Sequence, residues 1–480
     1  MALFVIFLYL AVVLVVGVAA RVKGRFSLAE YLVAGRALGF FLIYFLLVGD
    51  IYSGFAFLGA GGWAYKFGAP VFFIPAYAAI AYMMLYILGP KIWYFGKKHG
   101  FVTEPDFFVA RYDSKFLGLL TAIIGVIFII PYLQLQIMAG GLIFNAASYG
   151  AISQKLGMVI AFVIAGIYVY TSGLRGIAWT NVIQAVVMIV AALAGVFYII
   201  PKLFGGLGPM FQELAQKSPQ HLTLPGAKGT MGYSWFFSVT VLSGLGFWMW
   251  PHLFQNNYAA SSDREIKRSA FIAPLYTYLI MVTATLGFGA VLKLKLSNPD
   301  LSVMEMIKLA APAWFVGLVG AGGLAAAMST ADTLTLNPAG LIGKNIYRDL
   351  INPRAEDSKV AKITQTLTLP LLVISLLFAL FAPKLLVKLL LVGYSGITQM
   401  FPGVLLGLFW RRVTKAGIIA GLLVGEVTAI WMLLAKVKTL FGISFHAGFW
   451  GLILNFAVVI VVSLLTKPPR EEVLKDFELA

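Results

Sequence analysis

The sequence predicts an all-α integral membrane protein of about thirteen transmembrane helices, ten of them arranged as two inverted sets of five. Three observations predict it. Of 480 residues, 61% are hydrophobic and only 11% charged, where soluble domains carry about 25% charged residues. The apolar residues fall in runs long enough to span a bilayer, which takes about 20 residues of helix. A glycine-interrupted run near the start recurs 195 residues later, at Gly49 and again at Gly244.

The runs lie at 2–20, 38–64, 68–94, 117–147, 156–173, 179–201, 232–257, 270–292, 313–345, 362–383, 387–409, 416–435 and 447–466. The first has no basic stretch before its apolar core and is followed at once by Arg21, Lys23 and Arg25. That is a stop-transfer pattern, so it reads as a membrane helix and not as a signal peptide.

The formal net charge is +17, from 36 Lys and Arg against 19 Asp and Glu. These cations sit in short gaps between apolar runs, 24 on one side of the bilayer and 12 on the other. Basic loops stay cytoplasmic. The expected topology therefore has the N-terminus outside and the tail, 467–480, inside, in a cell (plasma) membrane. The charge excess records orientation, so no nucleic-acid partner is expected, and the lipid bilayer is the expected surroundings. There is no cysteine, which removes disulfides, thiol catalysis and Cys-based metal sites.

Transporters often contain inverted halves whose broken helices meet at a midplane site. The second run carries LLVGDIYSGF and the seventh VLSGLGFWMW. The same offset of 195 carries the fourth run onto 312–342, where the ninth lies. Five spans separate the members of each pair, and an odd number reverses orientation, so the halves must be inverted.

Several segments resemble the sodium:solute symporter family. They are SLAEYLVAGRALG (Ser27 to Gly39), TEPDFFVARYDSK (Thr103 to Lys115), YTSGLRGIAWTNVIQ (Tyr170 to Gln184), AAAMSTADTLTLN (Ala325 to Asn337) and FPGVLLGLFWRRVTKAGIIAG (Phe401 to Gly421). GDIYSGFAFLGAGGWAYKFGAP and IPYLQLQ look most like the branch of permeases for monocarboxylates and amino acids. The resemblance implies the LeuT-type fold, divided as a peripheral first helix and loop (1–37), a first repeat of spans 2–6 (38–201), an external loop (202–231), a second repeat of spans 7–11 (232–409), peripheral spans 12–13 (410–466) and the tail.

It also implies a coupling ion, sodium, with a proton as the alternative, and no organic cofactor. Sodium prefers oxygen ligands, which unwound backbone and half-helix ends supply in transporters. Ser329 and Thr330, in an Ala- and Gly-rich helix, match the family's sodium-binding pair; Gly49, Tyr52 and Ala326 match its carbonyl donors. Without the motif, Ser and Thr here would read as bonded to their own or a neighbouring helix.

Asp50 is the most unusual residue, because an ionisable group at mid-membrane normally faces a cavity or partner. Three roles stand open for it: adding charge to the ion site, carrying a coupled proton, or capping the half-helix that begins near Ser53. Asp332, two residues past Thr330, points about 200 degrees away and belongs to a neighbouring polar network. Glu426 reads as structural. Where Asn181 stands the family often has an acid, so a single coupling ion is expected.

The small-molecule substrate is expected between the broken helices and the fourth span, lined by Asp50, Ser53, Gly54, Tyr132, Gln136, Trp248 and Trp250. Tyr132 and Gln136 are four apart on one helix face, whereas Gln134 points elsewhere. The tryptophans have a packing reading beside the pocket reading, and His252 reads as a satisfied structural group. No Arg or Lys is placed for a carboxylate, so a small anion would rest on half-helix N-termini.

The whole pattern points to a sodium-coupled importer of a monocarboxylate or amino acid that works by alternating access, with a proton-coupled or sugar-carrying relative as alternatives. Other classes fit less well. No GxxxxGK[ST] loop serves a pump, and His99, His221, His252 and His446 lack metal-ligand spacing for an enzyme. A channel fits the composition but not the inverted repeat. The tail is too short for a signalling domain.

Overall fold

A computed structural model describes residues 1–20, 26–382, 385–437 and 439–478. The basic cluster Arg21, Lys23 and Arg25 lies outside the described residues. Among the described residues every regular element is a helix, beside two isolated bridges. Ten single helices are long and apolar enough to cross a membrane, and a pair bent by 50°, Phe40–Ile51 with Phe55–Phe67, makes an eleventh.

Two further crossings account for the difference from thirteen. The helix Gln154–Phe204 has 51 residues and would run about 76 Å if straight, more than twice the roughly 30 Å of hydrocarbon. It is divided at Gly173, whose φ of 57° and ψ of −161° lie outside helical space. Glycine reaches that conformation without strain; its missing Cβ would lie 2.7 Å from the Tyr31 ring. The expected loop after 173 is therefore a sharp break inside two abutting spans, held where Arg175 pairs with Glu30 at 2.8 Å.

The other crossing is built from Tyr233–Gly246 and Pro251–Ala259, each too short to span by itself. Between them, Phe247–Met249 tightens to a 3-10 turn and Trp250 is extended (φ −63°, ψ 121°). Pro251 causes this, since it disfavours helical geometry in the residue before it and starts the next helix at the position where no N–H is needed.

The remaining spans are Ala2–Ala19, Ala69–His99, Lys115–Ala147, Asp263–Lys293, Ala313–Ile351, Asp357–Phe381, Leu386–Phe409, Lys415–Leu434 and Ala447–Leu465. The second-span break at Tyr52 and the seventh-span break at Phe247 keep the same 195-residue spacing. The ninth and eleventh are the most enclosed of these spans, each with 83% of its apolar window buried, against 33% for the first. In the ninth, a run of Ala and Gly lets neighbouring backbones approach closely, as small residues do in membrane bundles.

On the side that carries the tail, a polar latch joins a short helix to the end of the ninth span. Asp106, in the short helix Glu104–Tyr112, caps its own helix through Val102 N and Thr103 N at 2.9 and 3.1 Å. Its other oxygen accepts from Asn345 Nδ2 at 2.9 Å and pairs with Lys344 at the end of the ninth span. Leu38 exchanges backbone hydrogen bonds with Ala259 and Ser261, tying the entry of the second span to the exit of the seventh.

Candidate cation and substrate site

At the second-span break the helical ladder is interrupted by two substitutions of partner. Ser53 N donates to Ile51 O at 3.1 Å instead of reaching back to Gly49. Gly54 N donates to Gln136 Oε1 at 2.9 Å instead of to Asp50 O. The carbonyls of Gly49 and Asp50 are thereby released from the ladder. Gly54 is required here by close approach, because a Cβ would lie 2.6 Å from Ala139 Cβ and 3.0 Å from Gln136 Oε1.

Both released carbonyls face the ninth span. Ser329 Oγ donates to Gly49 O at 2.8 Å, and Thr330 Oγ1 to Asp50 O at 3.1 Å. Ala326 O lies 3.2 Å from the Ser329 hydroxyl and 3.5 Å from that of Thr330. Ligands at right angles around a hard cation with bonds of roughly 2.4 Å are about 3.4 Å apart. The oxygens are thus close to a cation cage, and since hydroxyl hydrogens rotate freely, both can swing aside to present lone pairs. Of the residues expected to supply oxygen, Gly49, Ala326, Ser329 and Thr330 come together. Tyr52 sits beside them at the break, its hydroxyl donating to Leu279 O at 3.1 Å. The Asp50 carbonyl joins the group; the sequence pointed only to that residue's carboxylate.

The Asp50 carboxylate does not cap the half-helix. Its two oxygens accept from side-chain amides, Oδ2 from Asn256 at 2.7 Å and Oδ1 from Asn181 at 3.4 Å. The free amide at the break is taken by Gln136. Asn256 is a functional neighbour that sequence reasoning missed; its signal was the polar run QNN within an apolar span. Gln255 and Asn337 extend the polar connection, with Asn337 Nδ2 donating to Gln255 Oε1 at 2.7 Å and Gln255 Nε2 to Leu32 O at 2.6 Å. Asp332 points away from the cage, as expected, and accepts the Tyr168 hydroxyl at 2.6 and 2.8 Å.

Around Tyr132 the broken helices meet the fourth span. Its ring lies 4.8 Å from that of Trp250 and 5.9 Å from His252, and Ser53 stands beside its hydroxyl. Gln136 is one turn further along the same face. Trp248 is turned elsewhere: its indole N–H donates to Ala81 O at 2.5 Å, which removes it from the expected lining. Gln134 likewise bonds Phe378 O and Ala382 O. His252, expected to be internally satisfied, has no partner at either ring nitrogen among the described residues.

A helical membrane bundle with two broken spans crossing a small-residue helix, and a caged set of oxygens at the crossing, is the architecture of an ion-coupled secondary transporter. Residues 31–425 match the sodium:solute symporter family, and the chain belongs to it. It is a transporter, not an enzyme. It is 35% identical to an uncharacterised symporter of Bacillus subtilis over 98% of both chains. It is 29% identical to a monocarboxylate transport permease protein of Rhizobium johnstonii, covering 97% of this chain and 96% of the other. Among solved structures, a sodium-coupled sialic acid symporter in a substrate-bound, outward-open state superposes with a TM-score of 0.80 at 19% identity, over 98% of each chain. The nucleobase-cation-symport-1 family transporter Mhp1 in a closed conformation gives 0.60 at 15% identity, over 96% of this chain and all of the other. The fold is LeuT-like.

Proposed function

We propose that the chain is a sodium-coupled symporter that imports a small organic solute, a monocarboxylate or amino acid, across the cell membrane, with its N-terminus outside and its tail inside. The observation that carries this reading is the pairing of the Ser329 and Thr330 hydroxyls with the released carbonyls of Gly49 and Asp50. A hard monovalent cation needs such neutral oxygens from two elements that separate when the site opens. Sodium then holds the second span against the ninth, substrate binding permits occlusion, and rocking of the broken spans releases both ligands on the other side. Coupling requires each ligand to raise the other's affinity by the same factor. The division into repeats at 38–201 and 232–409 belongs to the same proposal.

Sodium is favoured over a proton by the surroundings of Asp50. Each carboxylate oxygen accepts an amide hydrogen, an arrangement that suits the acceptor-only anion better than an acid that must also donate. Uptake of labelled pyruvate, alanine, proline and glucose into proteoliposomes, under a sodium gradient, an equal proton gradient or neither, tests the proposal. Accumulation driven by sodium alone is expected for at least one solute. Uptake that ignores both gradients overturns it.

A further inference from the structure

Among the described residues, four buried groups around Tyr132 present polar atoms with no well-formed hydrogen bond: Ser53 Oγ, Gln136 Nε2, Trp250 Nε1 and both ring nitrogens of His252. All four residues are at most 2% exposed. Buried polar atoms are almost always paired, and leaving one unpaired costs about 1–3 kcal/mol. Five such atoms close to one aromatic ring make a concentration that a bound polar ligand would relieve.

The chemical character of the set is one-sided. An indole N–H only donates, and a neutral imidazole donates from one nitrogen. Gln136 has its oxygen fixed by Gly54 N at 2.9 Å, so its NH2 must face the pocket. Ser53 adds a hydroxyl that donates as readily as it accepts. The one carboxylate nearby, Asp50, is anchored at both oxygens by Asn181 and Asn256. The pocket therefore offers several donors and no uncommitted anionic acceptor. The helix Pro251–Ala259 also begins here, and its N-terminal end favours negative charge. Tyr132, Trp250 and His252 pack against one another, with ring centroids 4.8 to 6.1 Å apart.

We infer that Ser53, Gln136, Trp250 and His252 form a carboxylate site that accepts small monocarboxylates and rejects the corresponding amino acids, with His252 and Trp250 as the residues that set this specificity. The inference rests on the reading of the chain as a sodium-coupled symporter and narrows its substrate class. The two carboxylate oxygens, with about four lone-pair sites, take up the converging donors. An α-ammonium group brings three more donors into a pocket that offers it the Ser53 oxygen and one imidazole nitrogen but no free carboxylate, so its charge is desolvated without a counter-charge.

The test uses full-length protein in lipid nanodiscs, in sodium and in potassium medium, with thermal unfolding as the readout. Propionate, lactate and pyruvate are titrated beside alanine, which exchanges the lactate hydroxyl for an ammonium, and propionamide, which removes the charge of propionate. Ligands stabilise by mass action. The three acids are expected to raise the melting temperature in sodium, at concentrations at least tenfold below those needed for alanine or propionamide. His252→Leu and Trp250→Phe should weaken acid binding at least tenfold, whereas His252→Gln, which keeps a donor, should retain part of it. Equal stabilisation by alanine and lactate overturns the inference, as does wild-type acid affinity in both His252→Leu and Trp250→Phe. Absence of stabilisation by any of the acids up to about 10 mM overturns it too, and that result stands whether or not the variants fold.

The two readings fail differently. Sodium-driven uptake of alanine without competition from propionate removes the carboxylate assignment and leaves the symporter. Acid binding indifferent to sodium removes the coupling and leaves the carboxylate site.

Discussion

The hydroxyl of Thr330 lies 3.1 Å from the main-chain oxygen of Asp50, across the boundary between the ninth span and the break in the second. Ser329 makes the equivalent contact with Gly49 at 2.8 Å. Removing both hydroxyls takes away the only side-chain oxygens of the cage. Ser329→Ala with Thr330→Ala should raise the sodium concentration for half-maximal uptake by at least tenfold, about 1.4 kcal/mol of ion binding. Substrate uptake that keeps its sodium dependence in the double variant would show the cage to be misplaced.

Asp50→Asn tests whether that side chain organises the site or carries a proton. The variant places an NH2 opposite the donors of Asn181 or Asn256, so a buried donor is left unpaired, at about 1–3 kcal/mol. Lower thermal stability and weaker sodium affinity are expected together. If Asp50 were the proton carrier, sodium-driven transport would instead be unaffected and only proton-driven transport lost.

Gly54→Ala inserts a methyl group 2.6 Å from Ala139 Cβ. Overpacking of this kind destabilises by about 1–3 kcal/mol, and it pushes Gly54 N away from Gln136. The melting temperature and substrate affinity should both drop. Adding Ala139→Gly reopens the space and should restore part of each, which a purely local backbone defect at residue 54 would not allow.

Asp300 lies in the turn Pro299–Leu301 between the eighth and ninth spans, outside the membrane-spanning segments. Burial pushes its carboxyl up from 3.8 to about 7, although the bond from Leu386 N at 3.1 Å opposes the shift. The folded state therefore holds a proton that the unfolded chain releases near pH 4. Its stabilising contribution is complete below that pH and is lost as pH rises through about 7. Thermal unfolding across this range should show wild type losing stability that Asp300→Asn, which still accepts from Leu386, does not lose. Parallel pH profiles for the two proteins would refute it.

Lys344 pairs with Asp106 and with Asp349, the latter at 2.8 Å. Because the sequence has no cysteine, Leu341→Cys supplies a unique buried thiol just inside this latch. Labelling by a water-soluble maleimide should be faster when Lys344→Ala is added, through a larger open population, and slower again with sodium present. Unchanged rates would mean that the latch does not control access from the tail side.

The span pattern was legible because composition and apolar run length are one-dimensional properties. The two broken helices were legible for a related reason, since glycine, proline and polar residues inside apolar runs disrupt a helix wherever it packs. What could not be read was the choice of partner. Asp50 had a reasonable claim on the free amide at the break, and only the approach of the fourth span, which brings Gln136 to Gly54 N, decides it. The same is true of the tryptophans: Trp248 and Trp250 are two apart, and the extended geometry at Trp250 turns one to Ala81 and leaves the other in the pocket. The polar run QNN marks Asn256 as unusual but does not say what it faces, and the satisfied reading of His252 failed for that reason too.

The second and seventh spans are joined twice, by the backbone exchange of Leu38 with Ala259 and Ser261 and by the 2.7 Å bond from Asn256 to Asp50. Two fastenings along two crossing rods remove the freedom of one to turn about the other. On the proposed coupling, an ion lost from the Ser329–Gly49 side would free a single rigid lever with His252 on its far arm, and the grip on cation and cargo would loosen in one stroke.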